Sequence, residues 1–183
     1  MPSRATAYGR LSVSVSVRRM ASYPGDYDGP LELRYAPEVD GEPDAGEVVW
    51  AHVPFEEDPS RGKDRPVLVV GRDGRWVLGM QLTSQDHDRD AAQEERAGRY
   101  WVDIGVGGWD GARRPSEVRV NRVVRIDPET IRREGAVLDR ARWDDVVAGH
   151  RTHPHAQVAG APRTTTGPRR TPLTRLRDLF RRG

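Results

Sequence analysis

Between positions 61 and 87 the chain gathers Arg61, Lys63 and Arg65 on alternate residues, then the hydroxyls of Thr83 and Ser84 and the imidazole of His87. A guanidinium holds two oxygens of one anion in its own plane, which an ammonium cannot do, so Arg65 suits a phosphate or a carboxylate. An ion pair with Asp64 or Glu57 would satisfy the same residue types. Arg61 and Lys63 suit phosphate steering, or equally the offsetting of Glu56, Glu57 and Asp58. Thr83 is equally a strand former or a cap. An imidazole titrates near neutrality, so His87 suits a proton donor, although an exposed loop histidine has the same surroundings in sequence.

Other chemically able residues point less clearly. His150, His153 and His155 crowd together as metal ligands do, but with Pro154 among them and no cysteine nearby they read as linker. Asp144-Asp145 reads as an exposed helix face. Trp76, Trp101 and Trp109 are able to stack bases, while burial in a barrel is the commoner fate of such side chains. No glycine-rich segment has a phosphate-binding pattern followed by a helix. The chain has no cysteine, which excludes disulfides, thiolate zinc sites and cysteine nucleophiles together and suits the cytoplasm.

The elements that must carry these residues lie in the middle of the chain. Glu47 to Pro54 reads as a strand closed by its proline. Pro66 to Val70 and Trp76 to Leu82 form a hairpin signal around Gly71-Arg72-Asp73-Gly74. Asp86 to Gly98 is charged and reads as either a loop or a short helix. Trp101 to Ile104 is another strand. Ser116 to Ile126 alternates polar with apolar, with a bulge near Asn121 to Val123. Asp127-Pro128 is a helix start, and a last helix is expected over about 139–148 with Ala141, Val146 and Val147 inside and Trp143 beside them. Short strands closed by a helix predict a small β-barrel-like α+β domain.

Charge is distributed unevenly around this middle. Residues 1–19 have four Arg and no acid; 20–45 have one Arg against seven acids; 46–150 have 17 basic against 20 acidic side chains; 151–183 have eight Arg against Asp178. Nucleic-acid binding by the middle therefore requires a local site, not a global field. Leu11 to Val17 superficially suggests a signal peptide, but serine alternates with valine and Arg18-Arg19 stands where a small-residue cleavage site is needed. No stretch reaches the roughly 20 apolar residues of a membrane span.

Three blocks in order resemble the MazF/PemK family of toxins: Gly46-Glu47-Val48-Val49-Trp50, then Ser60 through Arg65-Pro66 to Val70, then Gln81-Leu82-Thr83-Ser84. Pro115 through Asp127 is similar to a late strand of that family, from which Asn121 departs by standing where an aspartate is usual. The acidic segment from Asp86 to Arg99 is also longer than the family pattern. The resemblance covers roughly residues 46–149. It implies an SH3-like β-barrel with a C-terminal helix that forms a homodimer, and a metal-independent, sequence-specific endoribonuclease acting on single-stranded RNA. Arg65 and Thr83 match the family's catalytic positions, and Arg61, Lys63, Ser84 and His87 are expected to contact RNA. No metal or cofactor is expected. The implied partners are the RNA, a cognate antitoxin and, only through the antitoxin complex, operator DNA. A gyrase inhibitor resembling CcdB on the same barrel is the rival reading, although the ending Phe180-Arg181-Arg182-Gly183 lacks the Trp-Gly-Ile on which that mode relies. An SH3-like interaction module without cleavage is the third.

The flanks are expected to be an extended or disordered arm over 1–45 and a basic flexible tail over 150–183. In the tail Thr171 caps a short amphipathic helix, with Pro172 at its first position and Leu173, Leu176, Leu179 and Phe180 on one stripe. The composition changes at Met20, so both Met1 and Met20 are candidate starts. A chain beginning at Met20 is expected to fold and cleave RNA as the full chain does; loss of its circular dichroism spectrum would place the boundary elsewhere.

Overall fold

The computed structural model describes residues 22–155 apart from 39 and 86–90, and the side chains of 133–135 are also left aside. Seven strands and two α-helices follow in order: β1 (Glu47–Pro54), β2 (Gly62–Asp73), β3 (Trp76–Thr83), α1 (Ala91–Arg96), β4 (Trp101–Gly105), β5 (Ser116–Arg119), β6 (Val124–Ile126), β7 (Arg133–Val137) and α2 (Arg140–Thr152). The sheet runs β4-β5-β3-β2-β1-β7 with β6 also paired to β3, and every pairing is antiparallel. It curls into a half-barrel that α2 closes, the α+β, SH3-like architecture expected from the sequence.

Alternation along the strands builds two apolar layers. Val48, Leu68, Val70, Leu78, Met80 and Leu82 point to the side that receives Trp143 and Val146 of α2. Their neighbours Val49, Val67, Val69 and Val77 point the other way, onto Val124 and Ile126. Bulges bend the sheet: the β2–β3 register shifts between Val69 and Gly71, and the β1–β7 register between Val48 and Trp50. The β2–β3 hairpin turns at Gly74-Arg75, later than the Gly71 start expected, with Gly74 at φ 58° as the first residue of a two-residue turn. At Gly79 the sheet packs so closely that a Cβ would lie 2.3 Å from Val67 Cγ1 and 3.1 Å from Ile126 Cδ1.

Several sequence expectations need correction. The expected strand from Ser116 to Ile126 is two strands: Gly79 pairs with Val124 and Leu82 with Val118, so a step of three residues on β3 faces a step of six on its partner. The excess sits at the expected bulge, in the turn at Val120-Asn121. Asp127 and Pro128 do start a helix, but it is one 3-10 turn, Pro128–Thr130, with Asp127 accepting from the Glu129 N–H. The chain then enters β7, which has no alternating pattern to announce it. Asp139 caps α2 by accepting from the Arg142 N–H. The buried stripe of α2 is Trp143, Val146 and His150, spaced by three and four, which leaves Ala141 exposed on the far side.

The histidines read as linker are packed. His150 Nδ1 lies 2.7 Å from the Val120 carbonyl and His155 Nε2 lies 2.8 Å from that of Gly29, so each ring donates through that nitrogen. His150 stacks on His155, His155 on Tyr27, and His153 on Tyr100. The 86–90 segment, the tail helix from Thr171 to Phe180 and the Met20 boundary lie outside the described residues.

Residues 22–38 and 40–45 run along the barrel in extended form without a regular ladder. Tyr27 donates its N–H to Val123 and Tyr35 its hydroxyl to Leu138. Leu31, Leu33 and Tyr35 pack on the main core.

Two consequences are measurable. Burial first, and then the nearby His155, push the His150 pKa below its ordinary value against the opposing bond to Val120. The unfolded chain therefore takes up the proton first, so this contribution is complete above about pH 6.5 and is lost as pH falls below it toward the folded pKa. Melting temperature should fall between pH 7.5 and 5.5, and His150→Asn, whose amide still reaches Val120, should flatten that slope; an unchanged slope would remove His150 as its source. Gly79→Ala should cost about 1–3 kcal/mol in urea unfolding, because its methyl has no room beside Val67. A wild-type midpoint and slope in that variant would mean that the β2–β3–β6 junction yields.

Candidate RNA-binding site

Asp64 and Arg65, neighbours on β2, both border one groove but differ in their partners. Asp64 contacts Arg132 at 2.6 Å and His52 at 3.5 Å. Arg65, opposite Ala51 of β1, faces this groove of about 650 Å³. Its Nε is buried and has no hydrogen-bond partner, and no ion pair to Asp64 or Glu57 is found among the described residues. Burial first, and then the charge of Arg122, press its pKa downward. An arginine stays protonated even so. The groove therefore holds a half-desolvated cation beside another cation, a setting that favours an anion.

Thr83 ends β3 opposite Glu117 of β5 and lies in the same groove. Its Oγ1 accepts the Gln85 N–H at 3.1 Å, which leaves the hydroxyl hydrogen to donate elsewhere. Ser84 and Lys63 also line the groove. Arg61 does not; its guanidinium sits 5.9 Å from the ring centroid of Phe55, a groove residue. His87 lies outside the described residues. The structure thus brings Arg65, Thr83, Lys63 and Ser84 together and leaves Arg61 at the rim of the loop.

Sequence reading missed the floor of this groove. Arg119 follows the polar alternation of a strand whose other side faces the core, a pattern that ordinarily means solvent, and Arg122 falls in the bulge expected near Asn121 to Val123. Both are buried. Arg119 binds the two carboxylate oxygens of Glu56 at 2.8 and 3.0 Å, and this bond, more than burial opposes it, holds the Glu56 pKa below its usual range. Arg122 grips both oxygens of Asp26 at 2.7 and 3.2 Å and also donates to Pro54 O and Gln81. The only sequence signal was the crowding of arginine at 119, 122 and 125.

Asn121, the departure from the family pattern, uses both ends of its amide. Its oxygen accepts from the Tyr100 N–H and, at 3.4 Å, from Arg119 Nε, while its nitrogen donates to Gly98 O at 2.6 Å. An aspartate would lack that last donor. Of the tryptophans, Trp109 is core and donates to Ser116 Oγ. Trp101 lines the groove with its Nε1 bonded to Glu94. Trp76 lies half-buried beneath Arg75.

Among the described residues no group of three or more His, Asp or Glu is placed to hold a metal, and no helix is long and apolar enough to cross a membrane. A family model described as PemK-like, MazF-like toxin of type II toxin-antitoxin system matches residues 44–151. Among solved structures, the Mycobacterium tuberculosis toxin MazF-mt6 is similar at 16% identity with a TM-score of 0.36, over 56% of this chain and 90% of that one. No curated protein matches. With that match spanning more than half of its length, the chain belongs to the family of PemK-like, MazF-like toxins of type II toxin-antitoxin systems.

Proposed function

We propose that this chain is a toxin that cuts single-stranded RNA at specific sequences without a metal, leaving a 2′,3′-cyclic phosphate and a 5′-hydroxyl. Members of its family are RNA-cleaving toxins paired with antitoxins. The observation that carries the finer reading is the buried, unpartnered Nε of Arg65 in a groove shared with the Thr83 hydroxyl. In this reaction the 2′-oxygen bonds to phosphorus and the bond from phosphorus to the 5′-oxygen breaks. One proton moves in net from the 2′- to the 5′-oxygen. The nucleophile belongs to the RNA, so the protein need not generate hydroxide.

What the protein must supply is geometry and charge balance on the phosphorane. The Arg65 guanidinium holds two nonbridging oxygens, and the Thr83 hydroxyl donates to the scissile phosphate and orients it. Lys63 and Ser84 contact the flanking backbone, with Arg61 and His87 on the approach. Residues 46–149 form the catalytic domain of a cytoplasmic homodimer that a cognate antitoxin silences, and operator DNA is met only through the antitoxin complex.

Cleavage of a fluorogenic RNA in excess EDTA, with product ends mapped by mass spectrometry, tests this. Arg65→Ala should lose about 10²–10³ in rate, as single-donor losses at such sites do. Arg65→Lys should not restore it, because an ammonium cannot bridge two oxygens in one plane. Thr83→Ala should be milder. Activity lost in EDTA, 5′-phosphate ends or full activity in Arg65→Ala would each sink the mechanism, and inhibition of gyrase supercoiling without RNA cleavage would favour the rival.

A further inference from the structure

The Arg119–Glu56 pair is lopsided. The arginine side chain is 6% exposed at the base of the groove, while its carboxylate partner is 49% exposed on the loop between β1 and β2. A buried guanidinium held for structure alone is usually enclosed by its partners, as Arg122 is: Asp26, Pro54 O and Gln81 all hold it. Besides Glu56, Arg119 has among the described residues only the long bond to Asn121. Its fork is thus covered on the groove side by one half-solvated carboxylate, presenting two oxygens in the arrangement a phosphodiester also offers.

Arg119 sits close to the reacting site along the sheet. Its neighbour Val118 pairs with Leu82, and Glu117 pairs with Thr83. On its other side Arg119 pairs with Trp101, which also lines the groove. A strand whose reacting phosphate lies between Arg65 and Thr83 would carry the next part of its backbone toward β5.

We propose that Arg119 is a second phosphate-binding residue of the groove, masked in the free protein by Glu56, and that the RNA backbone displaces that carboxylate as it binds. This rests on the groove being the RNA site. The exchange swaps one bidentate anion for another, so Arg119 is never left uncompensated. The loop carrying Glu56 moves outward as the strand enters, which couples substrate binding to opening of the β1–β2 loop. Glu56 thereby sets a threshold: an anion must outcompete a tethered carboxylate before it is gripped at two points.

The test uses the full chain and a fluorescein-labelled 2′-O-methyl oligoribonucleotide of mixed sequence, which lacks the nucleophile and cannot be cut, so binding is read separately from cleavage. Anisotropy titrations over a range of salt compare the wild type with Glu56→Gln, Glu57→Gln and Glu56→Gln/Arg119→Gln. Glu56→Gln should bind several-fold more tightly at low salt with the logarithmic salt slope of the wild type, because Arg119 meets a phosphate in both complexes. Glu57→Gln removes the same charge from the same loop without uncovering Arg119 and should tighten binding clearly less; the double variant, lacking the Arg119 contact, should have a slope shallower than that of the wild type by about 0.7, the value of one phosphate contact on a single strand.

Equal effects from Glu56→Gln and Glu57→Gln, or no tightening in a Glu56→Gln protein of wild-type circular dichroism, would overturn the proposal. Should Glu56→Gln fail to fold, the Nε–H resonance of Arg119 in the wild type decides: it should shift as the oligonucleotide saturates the protein, and a resonance that stays still would overturn the proposal equally. Wild-type protein that binds and responds in this way yet leaves ordinary RNA intact would refute the nuclease reading while leaving the masked subsite standing.

Discussion

The guanidinium of Arg122 is the joint on which the site is assembled. Taking that charge out of water is costly unless its donors are met, and Arg122 meets them from three separate parts of the chain: Asp26 of the N-terminal arm, the carbonyl that ends β1, and Gln81 of β3. The arm is therefore fastened at the groove, and the point where the chain leaves β1 for the next loop is fixed against β3. Arg122 also acts at a distance, since its charge lowers the pKa of Arg65. A single side chain thus shapes the groove and ties the arm to it.

Cations and carboxylates are shared out unequally around this joint. Arg119 has Glu56, Arg122 has Asp26 and Arg125 has Asp73, each at about 2.7–2.8 Å. Arg65 has no such partner among the described residues. Because each neighbouring cation is already balanced by its own acid, an entering anion feels the charge that is left, which is concentrated at Arg65. The curl of the sheet makes this possible. Arg65 is on β2, Thr83 on β3 and Arg119 on β5, and only a bent, antiparallel sheet turns those positions into one concavity. The bulge at Val69–Gly71 and the three-residue excess between β5 and β6 are the bends.

Much of this was legible where a local rule governs the outcome. Strands β1 to β4, the cap at Asp127 and the irregularity near Asn121 all follow from alternation, turn residues and capping chemistry. The pairing of Arg65 with Thr83 in one groove was read from motif order, since residue type alone left Arg65 divided between a ligand and an ion pair. What stayed hidden depended on contacts distant in sequence. β7 carries no alternation because it is an edge strand paired on one side only, to β1. The burial of His150 and His155 depends on carbonyls at Val120 and Gly29, which no neighbouring residue could announce. Arg119 reads as solvent-facing because a strand's polar face looks the same whether it meets water or a groove, and Arg122 lies in an irregular stretch where alternation says nothing of burial.

The arm shows the limit of reading composition without period. Residues 20–45 carry one Arg against seven acids with prolines and glycines between them, the chemistry of a solvated linker. Yet Leu31, Leu33, Tyr35 and Pro37 are half-buried, while Glu32, Arg34, Ala36 and Glu38 between them are exposed. That is a period of two, the signature of an extended segment with one face on a core. Pro30 and Pro37 each lack an N–H to give to a ladder, so the segment lies along the barrel as a strap and joins no sheet. Its acids then have two fates set by the same alternation. Most point to water and keep an otherwise apolar strap soluble, while Asp26, at the end where the strap reaches the groove, turns inward to Arg122. Charge balance at the groove thus draws one acid from the arm, Asp26 for Arg122, while Arg119 and Arg125 are balanced by Glu56 and Asp73 of the barrel.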